Sequence, residues 1–101
     1  MNEQREYHKH PDATLDIRVS WLSKLQRGER IMRSQWSALG MSVVAGQIVA
    51  DDSVTVGWIA GGLANVRYMI TNTIMTTFGR QYSETITLHV ADNVPLPESG
   101  L

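Results

Sequence analysis

In the stretch TLDIRVSW, Leu15, Ile17, Val19 and Trp21 alternate with Asp16, Arg18 and Ser20. This period of two predicts a β-strand with one face turned inward. The same period returns in NVRYMITNTIM, where Val66, Tyr68, Ile70, Asn72 and Ile74 share one face and Arg67, Met69, Thr71, Thr73 and Met75 the other. Its β-branched content favours strand over helix. YSETITLHV repeats the pattern with Ile86, Leu88 and Val90 inward and Thr85, Thr87 and His89 outward. Gly79, between the last two segments, predicts a hairpin.

The remaining segments alternate less cleanly. RIMRSQWSA reads as a strand, and GMSVVAGQIVADDS as two short strands or one bulged strand around Gly46, ending in an Asp51–Asp52–Ser53 turn. SVTVGWIA places Val54, Val56 and Trp58 on one face and stops at Gly61 and Gly62. LSKLQRGER is a connection with room for one helical turn. Tyr68, near the start of a late strand, is placed to tie the preceding corner through its hydroxyl.

About six to seven short strands with no long amphipathic helix predict an all-β protein, an immunoglobulin-like antiparallel β-sandwich spanning residues 14–92. Residues 1–13 are dense in polar side chains around Tyr7 and predict an exposed N-terminal arm. Residues 93–101 carry Pro95 and Pro97, which remove ladder hydrogen bonds, and predict an exposed C-terminal tail. Both ends are expected to order only against neighbouring subunits.

At 101 residues there is room for one domain of two packed layers. Nine basic against ten acidic residues give a formal net charge of −1, which argues against nucleic-acid binding because that needs a one-sided positive field. Cysteine is absent, which removes disulfides, thiolate metal sites and thiol nucleophiles. The opening residues have no apolar central region, so a secretory leader is not expected. Asn65, Arg67 and Asn72 interrupt the longest apolar stretch, so no membrane association is expected either.

Candidate chemistry is sparse. The glycines of GWIAGG precede no helix of the kind a phosphate-binding fingerprint needs, and read as a turn. His8, His10 and Asp12 in HKHPD carry metal-ligand chemistry, but nothing in the arm holds them together. Asp51 and Asp52 diverge on a turn, and the serines and His89 form no nucleophile motif. An enzyme, a cofactor and a metal are therefore not expected. Met69 and Met75, outward and flanking threonines, instead suggest an adaptable partner-binding sheet face. With Tyr7, His8 and His10 of the arm they are the candidate partner-binding residues. Trp21, Trp36 and Trp58 are read as core.

Taken in order, HPDATLDIRVSWLSKL, GERIMRSQW and GWIAGGLANVRYMITNTIMTTFGRQYSETITLHV resemble a family of small tailed-bacteriophage structural proteins, the fiber-tail adaptors, across residues 9–91. The resemblance is carried by Pro11, Asp12, Leu15, Asp16, Trp21, Gly61, Gly62, Tyr68, Gly79 and Arg80. LANVRY lacks a second glycine common in that family between the Gly-Gly corner and the tyrosine, so a differently shaped loop is expected there. The resemblance implies a non-enzymatic virion protein, assembled in the bacterial host cytoplasm and seated in the tail region. Its implied partners are tail, connector or fiber subunits and further copies of itself. A carbohydrate-binding or surface-decorating module is the alternative, and it would need exposed aromatic residues lining a groove.

Overall fold

The alternating segments close into two sheets that share one interior. The computed structural model describes residues 6–94. Seven strands run in the order β1 (Glu6–Lys9), β2 (Thr14–Ser20), β3 (Ile31–Ala38), β4 (Ser42–Val49), β5 (Val54–Ala60), β6 (Val66–Thr76) and β7 (Gln81–Val90), with no helix among the described residues. One sheet has the order β1-β7-β6-β3 and the other β2-β5-β4. All pairings are antiparallel except β1 with β7. Strands β2, β5 and β4 stand where B, E and D do in an immunoglobulin-like sandwich, and β3, β6 and β7 where C, F and G do. The protein is an immunoglobulin-like β-sandwich.

Ile17 and Ile59 of the smaller sheet meet Ile70, Ile86, Leu88 and Val90 of the larger one in the main core cluster. Val19, Trp21, Ile31 and Ile74 form a second. Each fully buried aliphatic side chain contributes roughly 1.5–3 kcal/mol against exposure. A polar bridge crosses the sandwich beside them. The Trp21 indole Nε1 donates to Thr55 Oγ1 and Asn72 Oδ1, both at 3.1 Å. The Thr55 hydroxyl donates to the same Asn72 oxygen, and Asn72 Nδ2 donates to Ser34 Oγ at 2.9 Å and the Gln35 carbonyl at 3.1 Å. Every member is satisfied, so the bridge fixes the register of the two sheets without leaving a buried donor unpaired.

Four expectations are corrected or sharpened. The exposed arm does not extend to Ala13, because Glu6–Lys9 pairs in parallel with Thr87–Val90. Lys9 reads as solvated but turns inward and is 1% exposed. Its ammonium donates to the carbonyls of His10, Pro11 and Ala13 at 2.8, 3.3 and 2.7 Å, replacing water with backbone acceptors and fixing the turn into β2. Burial lowers its pKa from the ordinary lysine value, with the nearby Asp12 carboxylate opposing the shift. Residues 1–5 of the expected arm and residues 95–101 of the expected tail lie outside the described residues.

Strand β5 also differs. Val54, Val56 and Trp58 do share a face, but Thr55, Gly57 and Ile59 are the residues that meet the larger sheet; Val56 is buried all the same, while Trp58 is half-buried outside rather than a core residue. The Trp36 indole occupies the place a side chain at Gly57 would take, since a Cβ there would lie 2.6 Å from its ring. Residues 42–49 form one strand with a register shift between Val43 and Ala45, which settles the choice between two strands and a bulged one. The connection after Trp21 is a tight turn, with the amides of Lys24 and Leu25 donating to the Trp21 carbonyl.

Candidate functional site

The larger sheet presents an outer face built by the alternation of β6 and β7. Register places Met69 beside Thr87, Thr71 beside Thr85, Thr73 beside Ser83 and Met75 beside Gln81. The hydroxyls of Thr71 and Thr85 lie 2.9 Å apart and those of Thr73 and Ser83 2.8 Å, so short hydroxyl pairs satisfy each other across the strands. They leave a level surface of methyls and hydroxyls between two methionines. Met69 is 62% exposed and Met75 half-buried.

His8 joins this face from β1, with its ring 5.6 Å from that of His89 in an edge-on contact. Beside it the Arg67 Nε donates to Glu6 Oε2 at 2.9 Å. That guanidinium bond holds the Glu6 carboxyl below its ordinary pKa, against the opposing effect of burial and with further help from the charge of Arg67 and the two histidines. Tyr7 and His10 do not belong to this surface. Tyr7 turns inward against the main core, and His10 Nδ1 accepts the Asp12 amide at 3.0 Å within the β1–β2 turn. Of the five candidate residues, His8, Met69 and Met75 therefore share one face, and Tyr7 and His10 lie elsewhere.

At one end of the sandwich Tyr68 ties two loops. The Leu63 amide donates to its hydroxyl at 2.7 Å. Its ring fits between Gly40 and Gly62: a Cβ at Gly40 would fall 2.9 Å from Cε1, and one at Gly62 3.1 Å from Cε2. Gly62, at φ +92°, also adopts a conformation that only glycine holds without strain. Leu39 and Leu63 stand exposed on the two loops so joined. Near the opposite end Glu29 is buried. Gln26 N–H and the Thr76 hydroxyl both donate to its carboxylate, and Arg80 Nε lies 3.8 Å away.

A feature that sequence reasoning missed lies between the free edges of β3 and β4. A groove of about 510 Å³ runs there, with Gln35 and Trp36 on one side and Val43, Gly46 and Ile48 on the other. The Trp36 indole lies on Gly57, and its Cδ1–Nε1 edge faces Gly46. Its Nε1 is shielded from solvent and has no acceptor among the described residues. The signal available in the sequence was the lack of any charged residue between Arg33 and Asp51.

A family model described as podophage GP4 fiber-tail adaptor protein gp77 matches residues 9–89. The chain belongs to that family. As a phage fiber-tail adaptor it has a structural role in the virion tail and binds other virion proteins. No curated protein matches the sequence. Among solved structures it is similar to the solution structure of the PKD domain from KIAA 1837 protein, at 19% identity over 98% of this chain and 89% of that one, with a TM-score of 0.46. The residues that carry the adaptor resemblance are mostly scaffold in this structure. Trp21 anchors the polar bridge, Gly62 and Tyr68 form the corner, and the Arg80 guanidinium lies 5.1 Å over the Tyr82 ring beside Glu29.

Proposed function

We propose that this adaptor joins the tail fiber to the tail or its connector, and that it docks through the outer face of the larger sheet. The family match over residues 9–89 carries the reading. The face between Met69 and Met75 supports it, because a level array of methyls and paired hydroxyls offers contact area with little desolvation cost, and methionine adapts to an irregular partner. His8 lies on the same face, while Tyr7 and His10 support it indirectly by holding β1 and its turn. The protein works as a structural element without a cofactor and catalyses no reaction. Several copies act together in the particle, since a domain this small offers limited area per contact. Its partners are proteins rather than nucleic acid or membrane, and it is incorporated during assembly in the host cytoplasm.

Complementation of a phage lacking this gene tests the reading, with particles purified and their composition measured by mass spectrometry. The wild-type chain should be recovered with tails and fibers. Met69→Glu with Met75→Glu should fold as judged by circular dichroism yet fail to incorporate, because each replaces an adaptable apolar contact with a charge that docking would have to desolvate. Particles without the wild-type chain sink the adaptor role; normal incorporation of the double variant moves the contact off this face.

A further inference from the structure

Among the described residues the sandwich has four edge strands, and three carry charged residues: Glu6 and Lys9 on β1, Asp16 and Arg18 on β2, and Arg33 on β3. Charges of this kind discourage another chain from adding to an exposed ladder. Strand β4, with the sequence SVVAGQIV, has neither charge nor proline over eight residues. Val44 is 62% exposed on it. Its register shift between Val43 and Ala45 blunts only the first half of the edge and leaves Gly46 to Val49 as a regular ladder, open to pairing with another chain.

What would cover β4 also has a place for its side chains. A strand added beside β4 would turn alternate residues over the groove toward Trp36 and Gln35, and none of the lining residues is charged. The Trp36 indole presents its Cδ1–Nε1 edge toward β4 at Gly46, so an inward side chain of the added strand would pack beside it. Carbohydrate fits less well, because recognition of a sugar ring uses the flat face of an aromatic, and one face of the Trp36 indole is taken up by Gly57.

We propose that β4 is a strand-addition edge that takes an extended, uncharged segment of a different virion protein, its inward side chains apolar and packed over the groove beside the Trp36 indole. The inference rests on the adaptor reading for the kind of partner, a protein chain. It uses a different surface from the outer face of the larger sheet, so one subunit would engage two neighbours. This is main-chain recognition, in which backbone hydrogen bonds supply affinity and alternate side-chain pockets supply selectivity.

The test uses the full chain and a capped peptide of alternating valine and threonine, about seven residues long, the span of a typical strand. Binding is followed by the indole N–H resonance of Trp36 and by hydrogen exchange of the β4 amides. The peptide should shift the Trp36 signal and protect β4. A peptide with glutamate at the valine positions should do neither. Val44→Lys, which supplies the missing edge charge at an exposed position and should keep the native circular dichroism, should weaken binding at least about tenfold. An unmoved Trp36 signal overturns the proposal, as does binding that Val44→Lys leaves unchanged. Self-association of the chain that Val44→Lys abolishes would assign the edge to a second copy instead, and a Trp36 shift produced by oligosaccharides would make the groove a sugar site. Each result is read on the isolated protein, so failure here leaves the virion-composition test of the adaptor role intact.

Discussion

Trp21 and Trp36 sit in the same interior, and the protein treats them in opposite ways. The Trp21 indole N–H has two acceptors, one from each sheet, and its ring stacks obliquely against Tyr82 at 6.4 Å. The Trp36 indole N–H is as well shielded and has none among the described residues. Around Trp21 the sheets are joined by a network in which each donor finds an oxygen; around Trp36 the edges of β3 and β4 stand apart over a groove. A domain selected only for stability gains nothing from the second arrangement, since an unpaired buried donor is a cost. The difference separates a part of the fold that is complete in one chain from a part that a neighbour completes.

The largest test of that contrast concerns the edge that this chain covers for itself. Strand β1 closes the β7 side of the larger sheet and brings Tyr7 onto the core and Lys9 into the turn. Deleting Met1 to His10 should therefore cost on the order of 3–5 kcal/mol, like truncation of a large core side chain, and lower the thermal midpoint in calorimetry. An unchanged midpoint would show that β1 is an accessory and that the covered edge resembles the open one.

A smaller effect separates the two tryptophans directly. Trp21→Phe leaves Asn72 and Thr55 short of a donor and should cost about 2 kcal/mol in urea unfolding, from one lost network contact plus some volume. Trp36→Phe removes a donor that has no acceptor, so the loss of volume is partly offset and the cost should stay under about 1 kcal/mol. Equal costs would mean that the Trp36 N–H is satisfied in the isolated protein, and the comparison between the two sites would fail.

Legibility followed the chemistry of individual positions. Strands β2, β6 and β7 could be read because Ile17, Val19, Ile70, Ile74, Ile86 and Leu88 are apolar where they face inward. Strand β5 was placed with the wrong face to the core because its inward positions include Thr55, needed by the polar bridge, and Gly57, needed by the Trp36 ring. Strand β1 was missed because its deepest residue is a lysine satisfied by three carbonyls, and because its pairing joins opposite ends of the chain. The outer face with Met69 and Met75 could be located from alternation alone. The groove could not, since it arises where two strands from different sheets fail to meet.

The smallest expected effect is present at neutral pH and lost in acid, and it concerns the end of the sandwich where Glu29 is buried. Glu29 is buried with its carboxylate accepting hydrogen bonds from the Gln26 amide and the Thr76 hydroxyl. These two bonds hold its pKa below the ordinary 4.5, against the opposing effect of burial and with help from the Arg80 guanidinium. A carboxylate whose folded-state pKa is depressed contributes stability that is present above the unfolded value and is lost as pH falls through the folded one. Glu29→Gln keeps the shape but removes the charge. The variant should therefore be less stable than wild type near pH 7, and the gap between their thermal midpoints should close as the pH is lowered from about 5 toward about 3. The same titration of Glu84→Gln, a half-exposed position on β7, serves as a reference. A gap for Glu29→Gln that stays constant across this range would show that the ionised carboxylate does not tie the Gln26 loop to the β6–β7 hairpin. That end of the sandwich would then owe its stability to apolar packing and the Trp21 network alone.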